Sequence, residues 1–304
     1  MNGDGKPHHG EGEEEQVDTR PYLCIPYWTK PLSAGGHWDT GQHRPLPGKV
    51  VYYLCESLQA SAYTPGEELN VTVAVRNSGK GSSAAIATVV VYWADPTAGF
   101  AKLNFFAAAT VAVPPDPISG KTVTTPTMTA KIPADAPDHI CLLAIVSHPQ
   151  DKAGTAYDPV GDRHWAQRNL TSVAVASGTP AIVPFKLGNP FARDAELDIV
   201  LAGADRTRAA VVASSLGLEP AAVRPTLRLL DEGGAELAGP GESIRHRFGV
   251  GAHGQVALQV LIDVDEPIGD GTAGTVEILL VDPTAGQEEL RIVGALGIAL
   301  LPGG

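Results

Sequence analysis

Between Tyr63 and Asp95 the chain alternates apolar and polar positions with a period of two. Leu69, Val71, Val73 and Val75 are separated by Asn70, Thr72, Ala74 and Arg76, the pattern of a strand with one face turned to a core. Thr64-Pro65-Gly66 leads into this strand and Asn77-Ser78-Gly79-Lys80-Gly81 ends it. The β-branched run Thr88–Trp93 follows, until Asp95-Pro96 stops it. The same rhythm predicts strands at Val50–Leu54, Leu69–Arg76, Ala87–Trp93, Ala101–Val113, Thr122–Ala130, His139–Ser147 and Leu170–Val175. Beyond a short linker at Ser177-Gly178-Thr179-Pro180 it predicts Ala181–Leu187, Ala195–Leu201, Thr226–Leu230, Ile244–Val250, Gln255–Asp263, Gly274–Val281 and Leu290–Leu301. One helix, residues 205–217, breaks the series, with Asp205 placed to cap it and Gly217 to stop it. Strands this short, punctuated by Gly and Pro, predict two tandem sandwiches over residues 50–176 and 177–304. Asp-Pro-Thr-Ala-Gly occurs at 95–99 and again at 282–286, but at different places in the two strand orders. Shared turn chemistry explains the pair better than duplication.

The first fifty residues carry no such rhythm. Residues 1–19 are rich in Gly, Glu and His with little to bury, which predicts a disordered acidic tail. Arg20–Lys49 holds two tryptophans, two tyrosines and five prolines. Such a segment is expected to be an extended arm laid on the first sandwich with its rings buried. An exposed docking arm for a partner is the other reading.

Three pieces of the first sandwich carry a resemblance. Pro65-Gly66-Glu67 precedes a strand ending in Val75-Arg76-Asn77-Ser78-Gly79, and Ala166-Gln167-Arg168-Asn169 leads into the last one. Residues 50–176 thereby resemble the bacterial cell-adhesion-related (CARDB) type of immunoglobulin-like domain, departing from it in the aromatic arm and in the long loop before Asn169. The fold class is therefore all-β: two tandem antiparallel immunoglobulin-like β-sandwiches with an N-terminal extended arm. The resemblance implies binding, spacing or adhesion and brings no catalytic residue with it.

Composition narrows the partners. The 304 residues include 34 glycines and 25 prolines, which suit short strands better than long helices. A net charge of −12 repels nucleic acid and anionic lipid, so neither is expected. No run is long enough to span a membrane. The N-terminus has neither a basic n-region nor an apolar h-region, which predicts a cytoplasmic protein or export by a non-Sec route or within an assembly.

Candidate chemistry is sparse. His37, Asp39 and His43 lie within seven residues and offer the N and O donors that zinc accepts, with His148 or His164 as a further ligand; loop hydrogen bonding is the competing reading. Asp151, Asp158 and Asp162 crowd one loop, and Asp263, Asp265, Glu266 and Asp270 another. Calcium would suit such oxygens, but neither loop has the spacing of a calcium loop, and solvated turn acids compete. Cys24 and Cys55 would form a disulfide in an oxidising compartment and buried thiols otherwise; Cys141 is expected in the core. In Asp162-Arg163-His164-Trp165, Arg163 could serve as an anion fork and Trp165 as a platform. The same residues could instead close the sandwich end as an aromatic plug, Arg163 pairing with an acid. No nucleophile elbow, phosphate loop or zinc-protease motif occurs.

The expected function is a non-catalytic structural or binding protein, without a cofactor, acting through sandwich surfaces or edge-strand pairing. Tyr22, Tyr27, Trp28 and Trp38 of the arm, with Arg163 and Trp165, are the expected interface, because aromatics and arginine dominate such contacts. The expected partner is another protein or further copies of the chain. An ancillary carbohydrate- or partner-holding subunit of a secreted or injected assembly is the alternative.

Overall fold

The computed structural model describes residues 18–30, 37–284 and 291–303. The expected tail up to residue 17, a piece of the arm and the end of the second Asp-Pro-Thr-Ala-Gly copy lie outside the described residues. Along the first half run β1 (Leu23–Cys24), β2 (Leu58–Ala60), β3 (Glu68–Asn77), β4 (Ala85–Ala94) and β5 (Asn104–Val113). β6 (Lys121–Thr124), β7 (Met128–Lys131), β8 (Cys141–Ser147) and β9 (Trp165–Arg168) follow. One sheet is built on β3, flanked by β1 and β2 on one side and by β6 and β7 on the other. The facing sheet has the order β5-β4-β8-β9. The period-two pattern explains the layering: Leu69, Val71, Val73 and Val75 of β3 and Ala87, Val89 and Val91 of β4 are buried in one core.

The second half contributes β10 (Leu170–Val175), β11 (Ala181–Gly188), β12 (Ala195–Gly203), α1 (Arg206–Ser215) and β13 (Glu219–Pro220). β14 (Pro225–Asp231), β15 (Glu236–Gly241), β16 (Ser243–Val250), β17 (Gln255–Val264), β18 (Thr272–Asp282) and β19 (Arg291–Pro302) complete it. Its sheets have the orders β10-β19-β18-β12-β16 and β11-β17-β14-β15. The helix follows the sequence closely. The Asp205 carboxylate accepts from the Thr207 and Arg208 amides. At the other end Gly217 has φ 71°, and the Leu218 and Gly217 amides donate to Ala213 and Ser214 in the double bond of a Schellman cap.

Four sequence expectations need correction. Val50–Leu54 is a buried turn, not a strand: Val50 N–H donates to Pro47 and Leu54 N–H to Val51. Its residues are all buried or nearly so, a pattern that reads as a strand although the chain is wrapping a corner. Thr122–Ala130 is two short strands, split at Thr125-Pro126, where Thr125 bonds to Val73 of β3 through its amide and hydroxyl and Pro126 has no N–H to continue the ladder. Leu170–Val175 does not close the first sandwich. It pairs in parallel with β19, Leu170 opposite Gly297 and Val175 opposite Pro302. β13 also pairs in parallel, with β18, so the sheets are not wholly antiparallel.

The crossing of β10 locks the halves together. Asn169, just before it, is fully buried; its amide group donates to Thr97 at 2.6 Å and Ala295 at 2.7 Å and accepts from the Cys141 thiol. Nearby the Tyr53 hydroxyl donates to Glu277, which pairs with Arg208 of α1 at 2.7 Å. The first Asp-Pro-Thr-Ala-Gly segment lies along β11, Ala98 donating to Lys186 and Lys186 to Pro96. Gly99, at φ 139°, packs against Gly188 and Gly294, and a β-carbon on any of the three would overlap the opposing chain.

Candidate functional site

The arm turns its rings inward. Tyr27 and Trp28 are buried in the core of the first sandwich, the Tyr27 hydroxyl accepting from Gln167 N–H at 3.2 Å and the Trp28 indole donating to His37 at 3.0 Å. Tyr22 lies under the Arg163 guanidinium, 3.9 Å from ring centre to charge. Of the four arm aromatics Trp38 alone is exposed, at 42%, with Arg76 over its ring. Asn77, the asparagine of the Val-x-Asn-x-Gly motif, is buried and ties the arm down. It accepts from Tyr22 and Gly79 N–H and donates to the Val113 carbonyl of β5.

Asp39 is fully buried, and both its oxygens are engaged. They accept from both terminal nitrogens of Arg44, at 3.0 and 3.1 Å, and from the Tyr27 and Gly41 amides. A carboxylate so neutralised has no free lone pairs aimed at solvent, while His37 and His43 are exposed beside it. Among the described residues no three His, Cys, Asp or Glu side chains gather where a metal ion could be held. Cys24 and Cys55 are free buried thiols, and burial pushes both up to about 12.

The loop acids are likewise spent internally. Asp151 accepts from Leu23 N–H of the arm at 2.6 Å and pairs with Arg163. The buried His164 ring sits between Asp162, at 2.7 Å, and Asp151, at 3.2 Å. Burial opposes the imidazolium, but the two carboxylates outweigh it and hold the His164 pKa above its usual value. Burial would raise Asp151 and Asp162 as well; hydrogen bonds from His164 bring both below the usual carboxylate range. Asp158 is raised by burial despite Arg291 at 3.1 Å. Asp265, Glu266 and Asp270 are exposed and Asp263 half-buried. Trp165 is buried against Phe100, Cys141 and Leu143, with Tyr157 edge-on at 5.5 Å. Arg163 and Trp165 therefore seal a loop and a sheet face.

What the chain leaves open is an edge. β5 hydrogen-bonds with β4 on one side only, and its ten residues, Asn-Phe-Phe-Ala-Ala-Ala-Thr-Val-Ala-Val, include no charge, proline or glycine. The one register shift of β5, at Phe106, leaves Ala107–Val113 regular, and unpaired edges are usually blunted by charge, proline, a bulge or shortness. Every other long edge is: β16 carries Arg245 and Arg247, β15 carries Pro240, and β11 carries Pro184 and Lys186. β10 has six residues, and β9 has four, covered by Cys55 N–H donating to Gln167. The outer face beside β5 is also apolar. Ile86 is 59% and Phe105 64% exposed, and Phe105 meets Tyr92 edge-to-face at 6.4 Å. No helix in the described residues is long and apolar enough to cross a membrane.

No protein-family model matches the chain, and no curated protein matches its sequence. Among solved structures, the CupB6 tip adhesin from Pseudomonas aeruginosa aligns with 80% of this chain and 92% of its own, at 9% identity and a TM-score of 0.24. The collagen adhesin of S. aureus aligns over 80% and 91%, at 8% identity and 0.23. Red sea bream transglutaminase covers 81% of this chain but 32% of its own, at 14% identity and 0.20. Superpositions this loose support no inference about fold or function.

The β5 edge was missed in the sequence although its signal was present. A predicted strand of this length without one charge is either central or exposed, and periodicity alone does not separate the two.

Proposed function

We propose that this protein is a non-catalytic assembly component whose copies join through β5. The edge carries this reading: beyond the bulge at Phe106, the residues from Ala107 onward offer backbone donors and acceptors with no charge to refuse a neighbour. Antiparallel pairing of β5 with its symmetry mate joins two four-stranded sheets into one of eight strands. The contact is isologous, so it closes as a dimer. Phe105 and Ile86 flank the seam and are covered as the outer faces become continuous. The polar groups that resembled a site, Asp39, Asp151 and His164, face internal partners, which fits a scaffold. The CARDB-like motifs support a contact role of the adhesion kind, their asparagines Asn77 and Asn169 serving the fold.

Sedimentation of the full chain tests the proposal, with Ala108→Lys/Ala112→Lys as the comparison, since both positions are exposed on β5. The wild type is expected as a dimer at tens of micromolar and the variant as a monomer of unchanged stability. A monomeric wild type, or a variant that still dimerises, contradicts the proposal.

A further inference from the structure

Across the same sheet, at the β9 edge, Arg168 is an anomaly. It is half-buried and has neither a hydrogen-bond nor an ion-pair partner among the described residues. The other arginines withdrawn from solvent are all matched: Arg44 by Asp39, Arg76 by Thr122 and the Asp39 carbonyl, Arg163 by Asp151, Arg208 by Glu277 and Arg228 by Glu236. Burial lowers the Arg168 pKa.

Arg168 borders a hollow of about 290 Å³ beside Tyr63, His139 and Leu142 and a larger groove of about 610 Å³, the latter within the size range of small-ligand pockets, roughly 300–1,000 Å³. One wall is apolar, formed by Trp28, Val51 and Leu54; the opposite wall is the Ala210, Val211 and Ser214 face of α1. Lys49 stands at the rim as a second cation. Glu56, the acid there, accepts through one oxygen from the Thr29 amide and hydroxyl, at 2.8 and 2.7 Å, and pairs with neither cation. In a chain of net charge −12, a concave apolar surface ending in an unanswered guanidinium is complementary to one ligand chemistry. A carboxylate meets the planar fork of an arginine with two parallel hydrogen bonds.

We propose that the groove between the arm, β9 and α1 binds a carboxylate with an apolar body, the acid on Arg168 and the body along Trp28 and Val211. The carboxylate can come from a free small acid or from the C-terminus of a peptide, and the chemistry at Arg168 is the same. The site lies three strands from β5, roughly 14 Å at the usual spacing, so the binding does not rest on the dimer.

The test is calorimetric titration of the full chain with octanoate and octanamide, and with N-acetyl-Ala-Leu-Phe acid and its C-terminal amide. At least one acid is expected to bind, and roughly ten- to hundredfold more tightly than its amide, the usual worth of a charge-assisted pair. Tighter binding of the peptide acid identifies a chain terminus as the source, and tighter binding of octanoate a free acid. Arg168→Met, which keeps the stem, is expected to abolish the acid-over-amide preference while leaving thermal unfolding nearly unchanged. Val211→Trp, at a half-exposed helix position, is expected to fill the groove and block both acids with Arg168 intact. Equal binding of acid and amide, no binding of either acid at millimolar concentration, or undiminished preference in Arg168→Met overturns the proposal.

Discussion

The arm and β5 are opposite answers to the same question, what a stretch of apolar residues is for. The arm is the more aromatic, and it is consumed: Tyr27 and Trp28 are core residues, and its one deep carboxylate, Asp39, meets Arg44 and two amides. β5 has small side chains and a plain sequence, yet its outer edge and Phe105 are left uncovered. The difference lies in who supplies the polar partners. The arm brings Asp39 and Arg44 to neutralise each other and finds Asn77 and Asp151 waiting for its amides. Among the described residues no strand pairs with the free side of β5, and the Asn77 amide reaches only its last carbonyl, at Val113.

The contrast can be broken first at Asp39. Asp39→Ala leaves Arg44 buried without its acid, which typically costs about 3–5 kcal/mol. Urea unfolding followed by tryptophan fluorescence should show a loss of that size; a cost below about 1 kcal/mol would mean the arm is only loosely laid on. At β5 the expected pattern reverses. Ala108→Lys/Ala112→Lys should change monomer stability by no more than about 0.5 kcal/mol, as exposed substitutions do, while weakening association at least roughly tenfold, about 1.4 kcal/mol. Salt sharpens this further. Two copies of charge −12 repel one another, so raising salt from about 20 to 200 mM should strengthen a β5 dimer by screening. An interface made of ion pairs would weaken instead.

The smallest effect is in pH. The carboxylates around His164 raise its pKa in the folded chain. The stability it adds is therefore complete below the unfolded value of about 6.5 and is lost as pH rises through the folded one. Asp151, Asp162 and Arg163 face the ring from its own loop, and through Asp151 it connects to the arm at Leu23. Protection of the arm should decline gently above neutral pH in the wild type and stay flat in His164→Gln. β5 has no titratable side chain, and its contact should not follow that step.

Much of the fold was legible because alternation is local. Leu69 to Val75, the cap at Asp205 and the stop at Gly217 each announce their state within a few residues. What misled was non-local. Val50–Leu54 reads as a strand since both faces are apolar, but its second face is covered by the other sandwich, where a β-carbon at Gly297 would overlap Tyr53. Leu170–Val175 has the right pattern for either sheet, and only the polar seam at Asn169 determines that it joins β19. The surfaces argued here were hidden for the same reason. Whether an uncharged strand lies at an edge, and whether Arg168 meets an acid, are facts about neighbours far away in sequence.

Hydrogen–deuterium exchange along Asn104–Val113, read at increasing protein concentration, tests the β5 contact most directly. Backbone amides on the free side of that strand should become protected as copies associate, and the Lys variant should lose the effect. Exchange that is fast and independent of concentration at those amides would contradict it.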